Sequence, residues 1–341
     1  METLLVGVMG TPLWAWLGFL VLVLLLLAFD LGVLHRRCHE IGLRESLLLS
    51  AFYVGLGVAF GGLVGLQFGA DAAVDYWTGF VVEKSLALDN IFVIATIFGY
   101  FAIPRAYQHR VLIFGVLGVI VLRGLMIGAG AALLQQFHWL LYLFAGFLVV
   151  TGVRLLVTAD QGYDVAANPL LRLLQRRCRV APCLHGDRFF LRLPDPATGR
   201  LLRYATPLFL ALVLVEIADV IFAVDSVPAI FAITTDPFVV YSSNIFAILG
   251  LRALFFALAA VIHRFADLKY ALAVVLLFIG GKILAADWLG LAEISPLWSL
   301  SVTLAILVSG LLVSLWRTAR PQAAAAPASA GGTPADRQAA D

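Results

Sequence analysis

Charge is scarce in this sequence, and cysteine and histidine are scarcer still. Asp, Glu, Lys and Arg make up 13% of 341 residues while hydrophobic residues make up 62%, which excludes an ordinary soluble domain. There are three cysteines, Cys38, Cys178 and Cys183. All fall in segments read below as cytoplasmic, so free thiols are expected, not disulfides. Cys178, Cys183 and His185 are close in sequence, but their spacing fits no zinc pattern and a fourth ligand is missing. The middle of no apolar run carries a cysteine or histidine, which argues against copper(I) or zinc inside the membrane. No nucleotide-binding motif, nucleophile–base pair or cofactor motif is present, so no enzyme is expected. The first apolar run, from Pro12, has no basic residue before it and no small-residue cleavage site, and reads as a retained span.

What the chain has in abundance is apolar runs long enough to cross a hydrocarbon core. Nine can be drawn: Pro12–Val33, Ser46–Leu66, Trp77–Phe101, Val111–Leu134, Trp139–Thr158, Pro207–Ile233, Tyr241–Ile262, Tyr270–Ala286 and Leu297–Trp316. The expected fold is all-α, a polytopic transmembrane helix bundle. Eighteen of the 23 Lys and Arg residues fall in alternate connections and the tail, and none in the other set. By the positive-inside rule the N-terminus is outside and the C-terminus cytoplasmic, in the cell's inner (plasma) membrane. The remaining five bases, Lys84, Arg123, Arg154, Arg252 and Lys282, lie within spans, and Lys84 is read as snorkelling outward. Gly57, Gly61, Gly65 and Gly69, at four-residue spacing in the second span, suit close packing against a helix of the same chain or a dimer seam. The basic, proline-containing segment 159–204, with a short helix around Leu170–Arg179, reads as a cytoplasmic linker that can touch anionic headgroups. It does not read as a nucleic-acid site. Residues 321–341 are low-complexity and expected to be disordered.

Acids interrupt these runs. Asp30 lies in the first span, Glu83 and Asp89 in the third, and Glu216, Asp219 and Asp225 in the sixth. Each costs about 2.5–3.5 kcal/mol at a bilayer centre, so intramembrane acids read as functional unless they form a structural polar network. Asn90 and Asn244 add amide oxygens. An oxygen-only set suits magnesium, calcium or manganese(II). Arg123, Arg252 and Lys282 read as counter-ions or gating charges, and the two arginines also as a candidate anion site. Pro228 removes a helix N–H and is the expected helix break, leaving the Val224 carbonyl available. Asp219 and Asp225, six residues apart, lie about 120° apart around a helix. They share one ion only if the helix unwinds; otherwise they mark successive stations on a path.

An internal match organises the chain. Glu83 precedes Asp89 as Asp219 precedes Asp225. Leu122-Arg123-Gly124-Leu125 answers Leu251-Arg252-Ala253-Leu254, and Gly152-Val153-Arg154 answers Gly280-Gly281-Lys282. The expected organisation is spans one and two (1–76), a three-span repeat (77–158), the basic loop (159–204), a second repeat (205–289), the last span (290–320) and the tail (321–341). Three spans is an odd number, so the copies are inverted, as in secondary transporters. Outward movement of a divalent cation against ~100 mV costs about 4.6 kcal/mol, which requires coupling. Clustered carboxylates that trade a cation for protons are the candidate means.

Residues 83–93, Glu-Lys-Ser-Leu-Ala-Leu-Asp-Asn-Ile-Phe-Val, resemble the TerC/Alx family of integral membrane proteins. So do Ala205-Thr206-Pro207-Leu208-Phe209, Phe222 to Thr234, Ser243 to Leu254 and Asp30-Leu31-Gly32-Val33-Leu34-His35-Arg36. The resemblance covers roughly Phe19 to Leu289. It departs from the family at Ala87-Leu88, where Ser-Val is common, and at Leu34, where Phe is common; neither change removes a ligand. It implies manganese(II) as the transported ion, with no tightly bound cofactor. It points to Asp30, Asp89, Asp219 and Asp225 as ligands, supported by Glu83, Glu216, Asn90 and Asn244. The expectation is a manganese exporter with protons as exchange partner. A non-transporting scaffold assisting insertion or assembly of other membrane proteins is the alternative.

Overall fold

The computed structural model describes residues 7–8, 10–32, 42–157, 164–166, 168–184, 186–194, 200–258, 268–288 and 295–319. Cys38, His185, the Leu34-His35-Arg36 end of the first motif and the tail 321–341 lie outside the described residues. The helices are α1 (Leu13–Gly32), α2 (Leu43–Phe68), α3 (Ala70–Tyr100), α4 (Arg105–Gln136), α5 (Leu140–Val157), α6 (Pro169–Arg177), α7 (Pro207–Phe231), α8 (Pro237–Leu249), α9 (Leu251–Leu258), α10 (Leu268–Trp288) and α11 (Pro296–Ala319). Eight segments are long and apolar enough to cross a membrane, with α8 and α9 together forming one of them. The ninth expected span is α3, whose 31 residues include Asp71, Asp75, Glu83, Lys84 and Asp89. The protein is an all-α, multi-pass membrane helix bundle.

The expected break is placed differently. Helix α7 continues through Pro228 to Phe231, so the helix does not end at the proline, although Pro228 still withholds its N–H from the Val224 carbonyl. The interruption falls instead at Gly250, between α8 and α9. Lys84 does not snorkel. Its Nζ donates to the Ala247 carbonyl at 2.9 Å, a carbonyl next to this interruption, so the lysine supplies a donor where the helix ladder is disturbed.

The glycine seam of α2 packs within the chain. A Cβ at Gly57 would meet the Phe80 ring, one at Gly61 would meet Tyr76 and Trp77, and one at Gly65 would meet Ala73. All four partners belong to α3. Gly69 joins α2 to α3 at φ 98°, a conformation that costs glycine least.

The two three-helix sets make matching contacts. A Cβ at Gly152 (α5) would lie 3.0 Å from the Ala273 carbonyl, and one at Gly280 (α10) would lie 2.6 Å from the Ala145 carbonyl. In the internal match Gly152 answers Gly280, and the same offset makes Ala145 answer Ala273. The arrangement is what a two-fold axis in the membrane plane produces. The same exchange relates α3 against α8 to α7 against α4, both of which are packed pairs.

Segment 159–204 is more than a linker. Two short paired strands, β1 (Gly7–Val8) and β2 (Thr11–Pro12), precede α1, and after α6 come strands β3 (Phe190–Pro194) and β4 (Leu201–Ala205), paired antiparallel with Arg192 opposite Arg203. This hairpin is docked on the bundle. Asp187 pairs with Arg110 of α4, and Phe190 packs on Phe209 of α7 with ring centroids 4.5 Å apart. Leu171 of α6 is buried. The alternation in β3 and β4 is too short to stand out between four prolines in the sequence. The basic cap marks one end of the bundle, where α3 ends and α4 and α7 begin.

Candidate functional site

Helices α3 and α7 cross antiparallel, and the site lies at their crossing. Seven residues return to nearly the same helix face, so Glu83 shares a face with Asn90, and Asp219 with Ser226. Asn90 Nδ2 donates to Asp219 Oδ1 at 3.3 Å, and Ser226 and Glu83 are joined through Arg123 Nη1, which donates to both. Asn90–Asp219 and Ser226–Glu83 are equivalent pairs under the internal match.

Arg123 of α4 enters this crossing and is 1% exposed. Its Nη1 donates to Glu83 Oε1, to Ser226 Oγ at 3.0 Å and to Asn244 Oδ1 at 3.1 Å. Its Nε and Nη2 both reach the Asp219 carboxylate at 3.4 Å. One guanidinium thus gathers four oxygen-bearing side chains from three other helices. Glu83 Oε2 and Asn244 Nδ2 are buried in the same place without a hydrogen-bond partner.

Of the eight expected ligands, the crossing brings together Glu83, Asn90, Asp219 and Asn244. Glu216 is one turn along α7 from Asp219; its Oε2 is buried and unpartnered. A Cβ at Gly118 of α4 would overlap its carboxylate. Asp30 is elsewhere. It pairs with Arg252, which also contacts His109 Nε2, and Tyr53 hydrogen-bonds to Asp30.

Asp89 and Asp225 face away from the crossing. Asp225 accepts from Thr151 of α5 at 3.2 Å and is near the charge of Arg154, while Asp89 is near that of Lys269 on α10. Asp89 lies along α3 between Glu83 and Asn90, and Asp225 along α7 between Asp219 and Ser226, so both are level with the centre but meet other neighbours. Among the described residues no three of His, Cys, Asp and Glu are grouped closely enough to hold a metal ion. The acids therefore do not form one ligand shell. Of the expected counter-ions, Arg123 and Arg252 pair with acids, and the charge of Lys282 acts on Asp75 near the start of α3.

A small cavity, with room for about one water, lies between α3, α4, α7 and α8–α9, and Asn90 and Asp219 are its polar lining residues. Its other walls include Ile94, Leu112, Val119, Val215 and Leu251, all displaced from the crossing toward the basic cap. The helices close tightly on both sides of it. Ile97, Val111 and Leu208 toward the cap, and Val82 and Ile230 away from it, are fully buried, and a Cβ at Gly79 would lie 2.9 Å from Ser243 Oγ.

Residues 68–322 match the model of the family described as "Integral membrane protein TerC family". The chain belongs to the TerC family. It is 46% identical over 316 residues to "Putative membrane-bound redox modulator Alx" of Escherichia coli K12, covering 90% of this chain and 95% of that one. An uncharacterized membrane protein of Rickettsia bellii is 44% identical over 303 residues, covering 89% of this chain and 97% of the relative. One from Myxococcus xanthus is 45% identical over 300 residues, covering 88% and 91%. No solved structure matches the chain.

Ser226, Tyr53 and His109 join these networks without having been singled out by the sequence. The signal for Ser226 was available, since it follows Asp219 by the same seven residues that separate Glu83 from Asn90. Nothing local marks Tyr53 or His109, because their partner Arg252 is brought to them by packing.

Proposed function

We propose that this TerC-family protein exports divalent manganese through the Glu83–Asp219 centre, with protons as the counter-flow. The observation that carries the reading is the buried set of oxygens around Arg123: two carboxylates, an amide and a hydroxyl at the crossing of the two acid-bearing helices. Oxygen donors suit hard divalent cations, and the choice of manganese rests on the family resemblance. Asp89 and Asp225, beside the centre on other faces of α3 and α7, serve as accessory stations for the ion.

The small cavity beside Asp219, closed by packed side chains on both sides, fits an occluded state of an alternating-access cycle. With the arginine-rich end cytoplasmic, as the charge distribution favours, the centre takes its ion from the cytoplasm. No resident cofactor or catalysed reaction is part of this account. Cells dependent on the protein for manganese tolerance test it. Asp219→Asn at normal abundance should raise cellular manganese and sensitivity to the level of a deletion, whereas unchanged tolerance would contradict export through this centre.

A second reading draws on the folded basic cap. A docked surface bearing Arg172, Arg176, Arg177, Arg192 and Arg203 suits a scaffold that holds other membrane proteins. Under that reading the cap arginines, and not Asp219, would govern the phenotype.

A further inference from the structure

The geometry points to a second role for Arg123: it is a tethered surrogate for the transported cation, balancing one charge of the centre's two carboxylates while a counter-flowing proton balances the other and the carrier returns without metal. This rests on the export reading above and goes beyond it, because it assigns how the unloaded protein resets.

Two carboxylates buried at a helix crossing without a cation carry several kcal/mol of uncompensated desolvation apiece. A carrier that moves the ion in one direction returns without it once per cycle, and protons together with the protein's own charges must then balance the carboxylates. Equilibrium exchange of ion for ion has no such step. Arg123 supplies one of those charges, since its guanidinium is always charged and its donors reach Glu83, Asp219, Ser226 and Asn244 together. Those are the oxygens an incoming hard cation would need.

The matching arginine makes the assignment sharper. Arg252 corresponds to Arg123 in the internal match, yet it is committed to Asp30 and His109. One arginine alone enters the centre, on one helix.

A surrogate needs somewhere to go when displaced. Side chains on a helix lean toward its N-terminus, and Gly118 lies five residues in that direction, about 7.5 Å along the axis. There the Glu216 carboxylate packs against the bare backbone of Gly118, with Oε2 buried and unpartnered. Glu216 is the acid a released Arg123 would meet, so occupancy of the centre and the position of Arg123 are alternatives.

The test uses the full-length protein in liposomes and compares two fluxes of manganese, net efflux into manganese-free buffer and tracer exchange at equal concentrations. In Arg123→Gln the ratio of net efflux to exchange should fall about tenfold or more, while the apparent Kd for manganese falls about tenfold because a competitor is gone. The Kd is read from the manganese-dependent rise in thermal stability, which reports on folded protein only. Arg123→Lys keeps a charge and should hold the ratio within about threefold of wild type. Proportional loss of both fluxes, an unchanged or weaker Kd, or a collapsed ratio in Arg123→Lys would each overturn the assignment. Wild-type protein that carries neither flux would overturn the export reading itself, and this inference with it.

Discussion

Arg123 and Arg252 hold matching positions in the two three-helix sets, yet they sit in separate acid networks. Arg123 binds Glu83 and Asp219 at the α3–α7 crossing, and Arg252 binds Asp30 of α1. The pseudo-symmetry that builds the bundle is thus broken at its charges. One network lies beside the cavity, and the other ties α1 to the α8–α9 span.

The Asp30–Arg252 pair should therefore behave as a structural tie. Asp30→Asn leaves a buried guanidinium without its carboxylate and should destabilise the protein by about 3–5 kcal/mol. Replacing both partners, Asp30→Leu with Arg252→Met, should restore most of that loss. Thermal unfolding in detergent measures both. Equal damage in the single and double variants would show that the pair is required for more than charge balance.

The acids should sort into two classes by transport rate. Glu83→Gln and Asp219→Asn remove carboxylates from the centre and should reduce flux about a hundredfold, the scale of a lost buried charged contact of roughly 2–3 kcal/mol. Asp89→Asn and Asp225→Asn alter the accessory stations and should cost about tenfold. Initial rates at several manganese concentrations separate the classes, and the reverse ranking would mean that the centre lies elsewhere on α3 and α7.

Two neighbouring glycines offer a test of the α5–α10 contact. Gly280→Ala places a methyl 2.6 Å from the Ala145 carbonyl, so backbone must shift, at about 1–3 kcal/mol. Gly281→Ala meets nothing within 4 Å and should be neutral. Equal thermal stability in the two variants would contradict the close approach.

Lys84 should matter through the carbonyl it serves. Lys84→Met leaves the Ala247 carbonyl beside the Gly250 interruption without its donor, at about 1–3 kcal/mol. Hydrogen exchange along α8 and α9 should accelerate in this variant and stay unchanged in α5 and α10. Uniform acceleration would indicate a general loss of stability instead.

Much of this architecture was legible because membranes make sequence patterns blunt. Nine apolar runs correspond to α1–α5, α7, the α8–α9 span, α10 and α11. The acids were equally plain, since a carboxylate in an apolar run has no cheap explanation. What the sequence could not give was their company. The six-residue interval from Glu83 to Asp89 and from Asp219 to Asp225 drew attention to acids that face apart. The seven-residue interval to Asn90 and Ser226 governs the crossing, and those side chains are less conspicuous. Pro228 looked like a break, yet α7 continues one turn past it to Phe231. Gly250 is the interruption, and a lone glycine in a span is common enough to pass unnoticed. The hairpin after α6 was hidden by short strands and intervening prolines.

The most direct measurement is manganese flux from liposomes carrying purified protein, wild type beside Glu83→Gln and Asp219→Asn, with and without a pH gradient. The account predicts flux in wild type that follows the gradient and near-complete loss in both variants. Well-folded wild type that carries no manganese under either condition, or variants that carry it as fast as wild type, would contradict it.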